Sequence, residues 1–413
     1  MTTVVISPSN VANFPEGGGH FWVYMQYVLG LRDIGVEVYW LEEFHASGDA
    51  AQDARALSVF HERMRRYGLS RRTLLYQRNP AVADGAPGSR AYIGMSEAAA
   101  EALFARTDLL LNFYYALAPD LLARFRRTAL VDIDPGLLQF WIAQRQLHVS
   151  PHDVYFSTGE TVGVPGALFP DCGLQWEGIE PPVSLSAWPY SFDADSPRFT
   201  TISGWWGGGG KGEFITDGEG LLYENNKRVT FLQFLDLPRR TSQPIELALN
   251  LGDGDAEADE RAAATQAAPP AEQVTDYVSD AVDRRRLEAH GWGIRQAAEV
   301  SSTPEDYQNY IQSSRGEFSC VKPSCIRFQN AWVSDRTLCY LASGKPVVVQ
   351  DTGPSRRLPN GAGMFRFATM DEAVKAFAVI NADYEGHCRA ARQIAEELFD
   401  SRRIVRRMLT LAC

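Results

Sequence analysis

The residues best suited to chemistry fall in a few short stretches. Gly17-Gly18-Gly19-His20 follows a β-branched run, Thr3–Ser7. Glycines after a first strand let the backbone turn tightly and aim its N–H groups at a ligand. The helix that follows presents its N-terminus to the same place. His20 at that edge can take a proton near neutral pH; the competing reading is a turn histidine that only caps the helix. Asp132-Ile133-Asp134-Pro135-Gly136 ends another β-run. Alternate strand residues point to one side, so Asp132 and Asp134 are expected on one face, where they can orient His20 or bind a substrate hydroxyl. An Asp before Pro also begins turns for purely structural reasons.

A second glycine-rich turn runs from Gly204 through Trp205-Trp206 to Gly212 and carries Lys211. It can cradle a diphosphate, and it can equally be a flexible hairpin tip. It is not a Walker A loop, because neither Ser nor Thr follows Lys211, and it lacks the spacing of an adenine-dinucleotide fingerprint. Arg315-Gly316-Glu317-Phe318-Ser319-Cys320-Val321-Lys322 sets three charges around an apolar strand, where an unpaired buried charge is costly. At the strand's C-terminal edge Glu317 and Lys322 would border a ligand crevice, Lys322 as a phosphate contact; a structural ion pair is the alternative. In Ser334–Val349, Ser334 or Asp335 can cap a short helix, Gly344 ends it and Pro346 opens a buried parallel strand.

The elements that must position these residues form a repeat. Thr3–Ser7, the glycine turn, a helix from His20 to about Arg32 and a strand at Val36–Leu41 make a βαβ unit, which favours a parallel sheet. Further strands are expected at Leu109–Phe113 and Ala129–Ile133. The pattern restarts with a strand at Phe199–Ile202, a helix near Arg228–Leu235 and a strand at Ile245–Leu249. Strand and helix then alternate to Gln350, and helices fill the chain from Met370. Prolines 165, 170, 181, 182, 189 and 197 mark a linker near 185–197. The predicted domains are 1–190 and 191–413, with a mobile insertion at 253–275 that is acidic and then rich in Ala and Pro. At 413 residues two domains are the default. The net charge of −11 argues against a nucleic-acid partner. No uncharged run is long enough to span a bilayer, and the start lacks a basic and apolar leader, so a cytoplasmic protein is expected. Six cysteines without a CxxC pair read as reduced and mostly buried thiols, with no zinc site. His61–Arg78, with six arginines and one glutamate, reads as a solvated helix surface.

The sixteen residues Ser334–Val349 resemble the C-terminal donor-binding motif of bacterial GT-B glycosyltransferases of the family 1/4-like kind. There a short helix is followed by a small residue, Gly, a variable residue, Pro and a β-branched strand. Arg336 matches the arginine that meets a nucleotide-sugar diphosphate in those families, and Ala342 and Gly344 match the small positions. The glutamate that grips the donor ribose falls on Cys339, so Asp335 or Glu317 would have to take that part. Lys211-Gly212 is similar to a Lys-Gly in the first loop of the donor half, while the arginine usual near that loop's glycine is replaced by Trp205. The resemblance implies an α/β fold of two Rossmann-like domains facing a cleft, with C-terminal helices. It implies transfer of a sugar from a nucleotide diphosphate to an acceptor hydroxyl or amine, without a metal or resident cofactor. Gly204, Lys211, Glu317, Lys322, Ser334, Asp335 and Arg336 would hold the donor. Gly18 and Gly19 would hold a small-molecule or glycan acceptor, beside His20 and Asp134 as catalytic residues. A nucleotide-sugar epimerase and a non-catalytic nucleotide-sugar binder are the alternatives.

Overall fold

The computed structural model describes residues 2–82, 85–86, 88–207, 212–216, 220–251 and 280–413. They form two compact units. The first runs to Trp188 and takes back Phe328–Leu338 and Ala395–Cys413; the second comprises Pro189–Arg327 and Cys339–Ile394.

The first unit is built on eight strands: β1 (Thr3–Ser7), β2 (Glu37–Glu43), β3 (Thr73–Arg78), β4 (Arg90–Ile93), β5 (Leu109–Asn112), β6 (Thr128–Asp132), β7 (Val154–Ser157) and β8 (Trp176–Gly178). Their order is β4-β3-β2-β1-β5-β6-β7-β8. Every pairing is parallel except β3 with β4. Val4, Val5 and Ile6 are wholly buried, as a central parallel strand covered on both faces requires. One core cluster packs Leu41, Leu74, Tyr76, Leu103, Phe104 and Leu110 together.

The chain's repeat predicts one domain over 191–413, yet two of its segments belong to the first unit. The helix Ser401–Ala412 buries Ile404, Val405, Met408 and Ala412 on one stripe. It lies against the helix Gly18–Asp33, where Gly30 leaves room for Ser401: a Cβ at Gly30 would come within 2.7 Å of the Ser401 Cβ. Val183 fastens the segment by donating to Phe399 O at 2.8 Å and accepting from Ser401 N at 3.0 Å.

The second unit carries a six-stranded parallel sheet of β9 (Phe199–Gly204), β12 (Ile245–Asn250), β13 (Gly293–Gln296), β14 (Gly316–Ser319), β15 (Val347–Gln350) and β16 (Met364–Phe367). Its order is β13-β12-β9-β14-β15-β16. β10 (Phe214–Thr216) and β11 (Leu222–Glu224) form a separate antiparallel hairpin. Phe199, Trp205, Phe231, Phe318, Phe367 and Phe377 anchor an aromatic core.

His61–Arg78 is not one solvated face. The helix Ala50–Arg66 ends inside it, Arg63 is buried with its guanidinium on Pro15 O, and Thr73–Tyr76 form a buried strand. Lys211, Gly208–Gly210 and the insertion at 253–275 lie outside the described residues. Among the described residues, the six cysteines form no disulfide and no helix is long and apolar enough to cross a membrane.

Candidate functional site

Each sheet reverses its winding once, between β1 and β5 in the first unit and between β9 and β14 in the second. In doubly wound sheets the loops beyond the strands' C-terminal ends part at that point and leave a ligand crevice. The residues singled out from the sequence fall largely around these two places.

In the first unit, Ser7 ends β1 beside Asn112 at the end of β5. Gly18 and Gly19 open the helix Gly18–Asp33, and His20 lies one residue further, half-buried between the rings of Phe14 and Tyr24. Its Nε2 is 2.7 Å from Ser9 O. A carbonyl can only accept, so Nε2 carries the proton and Nδ1 of the neutral ring is the basic atom. Burial lowers the His20 pKa below its usual value, opposed by the Ser9 bond and by Asp335 and Asp134. The ring is therefore neutral at pH 7 and able to accept a proton.

The loop that offers Ser9 is clamped by Glu42, which sequence reasoning did not single out. Its carboxylate accepts from Val11 N at 2.5 Å, Ala12 N at 2.8 Å and Trp40 Nε1 at 2.8 Å. Burial pushes its pKa up to about 7 against those three bonds. The signal available in the sequence was an acid inside the apolar run Val38–Leu41 and its continuation.

Asp132 and Asp134 meet at one group, the Tyr115 hydroxyl, whose oxygen lies 3.5 Å from Asp132 Oδ1 and 3.4 Å from Asp134 Oδ2, but a turn rather than strand alternation brings them there. β6 stops at Asp132, so strand alternation does not extend to Asp134. Asp132 is wholly buried and accepts from Ser157 Oγ at 2.7 Å, Gln139 Nε2 at 2.9 Å and Asp134 N at 2.9 Å. Burial raises its pKa to about 6. Asp134 is exposed, and its charge favours the protonated form of His20. The two carboxylates thus divide their roles, one fixing the turn and the other charging its surface.

Ser334, Asp335 and Arg336, expected with the donor half, belong to the first unit. The segment before them takes an unusual path: Gln329 and Ala331 both hold left-handed backbone, at φ 47° and 52°. Such residues each cost about 1–2 kcal/mol and persist only where the surroundings impose them. Here the imposing group is Asn330, whose buried Nδ2 donates to Pro135 O at 2.7 Å while its Oδ1 accepts from Trp332 N at 3.2 Å. Gly136, at φ 86°, gives the other half of the fit: a Cβ there would meet the Phe328 ring at 2.8 Å. Past this turn lies Asp335, in the first unit, and its charge bears on His20, Tyr24 and Tyr27 alike. Arg336 is buried at the same helix start.

In the second unit, Gly204 ends β9, and a side chain there would meet nothing closer than Trp206 O at 3.6 Å. Trp205 is a core residue whose Nε1 donates to Asp283 Oδ2 at 2.8 Å. The same carboxylate pairs with the Arg228 guanidinium, which lies 5.3 Å over the Trp206 ring. An arginine does attend this loop, supplied from another part of the chain and already neutralised. Lys322 lies just past the C-terminal end of β14, at the crevice edge, with Nζ 2.5 Å from Glu213 Oε2. Glu317 lies at the other end. It is the second residue of β14, buried opposite Thr200 and Val347, because the strand begins at Gly316 and runs away from it toward the ligand edge. Cys339 is buried, and Gly344 closes the helix at φ 72° against the Tyr190 ring. Two asparagines missed from the sequence organise this edge. Asn225 Oδ1 accepts from Ser324 N at 2.8 Å, and Asn226 Oδ1 from Gly207 N at 2.7 Å and Glu213 N at 3.0 Å.

No family model matches the chain, and no curated protein does. Solved structures match it from end to end. An alpha-glucosyltransferase in complex with UDP aligns over 100% of both chains at 11% identity, with a TM-score of 0.56. Sucrose-phosphate synthase from Thermosynechococcus elongatus covers 100% of this chain and 98% of its own, at 11% identity and TM-score 0.54. HepE from Anabaena, in complex with UDP and glucose, covers 100% and 99% at 11% identity and TM-score 0.56. The fold of this chain, with its two Rossmann-like units, is GT-B.

Proposed function

We propose that the protein is a glycosyltransferase that moves a sugar from a nucleoside diphosphate donor to an acceptor hydroxyl or amine. The observation that carries this reading is the neutral His20 with its basic Nδ1 at the switch point of the first sheet, in a fold shared end to end with an alpha-glucosyltransferase solved with UDP and with HepE, solved with UDP and glucose. His20 takes the acceptor's proton as its oxygen or nitrogen attacks the anomeric carbon, and the bond to the diphosphate breaks. Asp134 and Asp335 stabilise the imidazolium that forms. The donor's diphosphate is bound at the switch point of the second sheet, beside Gly204–Gly207 and Lys322, and needs no resident cofactor. The net charge of −11 favours a small-molecule or glycan acceptor over DNA, which accompanies the alpha-glucosyltransferase in some of its structures.

The test is a melting-temperature panel of UDP, GDP, ADP and dTDP and their glucose conjugates, since a ligand of the native state raises the midpoint by mass action. One base should shift the midpoint, and Lys322→Ala should abolish that shift. No shift with any nucleotide would overturn the reading. With the donor known, product NMR reads the anomeric centre: direct displacement assisted by His20 inverts it. A retained configuration would remove His20 as the base.

A further inference from the structure

The crevice of the second unit already holds an anion of its own. Lys322 reaches it from just beyond β14, and the Glu213 carboxylate meets its ammonium at 2.5 Å. That carboxylate also lies directly on the glycine turn. A Cβ at Gly207 would fall 2.8 Å from Glu213 Oε2 and 2.8 Å from Glu213 Cβ. The backbone bonds around Glu213 aim it there. Asn226 Oδ1 ties Gly207 N to Glu213 N, and Asn225 N donates to Glu213 O at 2.7 Å. A cation, a glycine with no side chain and a strand-end crevice are what a phosphate group needs, and a carboxylate fills that place.

We propose that Glu213 is a resident substitute for the donor's phosphate: it neutralises Lys322 and covers Gly207 until a diphosphate displaces it. The inference rests on the donor reading above and adds a specificity element to that site. Glu213 screens the crevice against weak anions such as single phosphates and yields to a diphosphate. The pair is suited to exchange because it is not sealed: the Lys322 and Glu213 side chains keep 29% and 14% of their exposure. Ion pairs of that kind are worth at most about 1 kcal/mol, so breaking one lowers donor affinity by no more than about fivefold.

Calorimetric titration of the full chain with UDP and with inorganic pyrophosphate tests this. Glu213→Gln should bind both probes about threefold to fivefold more tightly than the wild type. Lys322→Met should bind both more weakly, and the double variant should show no gain over Lys322→Met. Equal affinity of Glu213→Gln and wild type overturns the inference alone. So does weaker UDP binding with unchanged pyrophosphate binding, which would make Glu213 a direct contact to the nucleoside. If neither wild type nor Glu213→Gln binds either probe, the donor reading falls and the inference with it.

Discussion

Replacing Asp283 with alanine tests what holds the glycine turn of the second unit. Asp283 is wholly buried, and the Arg228 side chain retains only 10% exposure. The carboxylate serves two donors, the Arg228 guanidinium and Trp205 Nε1. Its removal leaves a desolvated cation uncompensated, at a cost of about 3–5 kcal/mol. In a unit of this size each kcal/mol lowers the midpoint by roughly 2–4 °C, so the second unit should melt about 6–20 °C earlier. Differential scanning calorimetry of the full chain reads this as a downward shift of one transition. The double variant Asp283→Leu with Arg228→Met should recover most of the loss, because apolar groups of similar volume often replace a buried pair without cost. A shift below about 2 °C, or a double variant no more stable than Asp283→Ala, would refute the assignment of this pair as a buried clamp.

Further outcomes follow from the first unit. His20→Ala should lower kcat/KM by about 10²–10⁴-fold. The acid limb of the wild-type pH profile should fall below pH 6.5, because burial lowers the His20 pKa, and a limb above that value would contradict the geometry. Glu42 holds its proton more tightly folded than unfolded, burial pushing its pKa up to about 7 from the ordinary 4.5. The associated stability is present below the unfolded value and is lost as pH rises through 7, a fall of about 3 kcal/mol. Urea titrations across pH 4–8 should show a flatter slope for Glu42→Gln, and an unchanged slope would count against the shift. Asn330→Ala should destabilise the first unit by about 1–3 kcal/mol, since it orphans a buried carbonyl and releases the strained turn. Gly136→Ala should also lower the first unit's melting temperature, because it adds a Cβ at φ 86° against Phe328. A neutral result there would mean the ring moves freely.

Much of the fold is written in local sequence. The β-branched runs at Thr3–Ser7 and Phe199–Ile202, each followed by glycines, correspond to the central strands β1 and β9. The site was legible where local chemistry decides it, as with His20 after its glycines. It was not legible where partners lie far apart in the chain. Asp283 and Arg228 are 55 residues apart, and Asn330 and Pro135 are 195. Glu317 falls at the opposite end of its strand from the expected one, because a four-residue strand carries no marker of where it starts. Asp132 and Asp134 do meet, at the Tyr115 hydroxyl, but through a turn past the strand end in which Asp132 takes the Asp134 N–H, and that has no local marker.

The return of residues 395–413 to the first unit governs when that unit can finish folding. Chains are made at about 5–20 residues per second, and domains usually close as they emerge. Here the helix Gly18–Asp33 emerges long before its partner helix Ser401–Ala412. Arg127, just before β6, likewise awaits the carbonyl of Ala412. The second unit has all its residues once Cys339–Ile394 has been made. The first unit is therefore completed after the second, and the buried face of the helix Gly18–Asp33 waits for its partner until then.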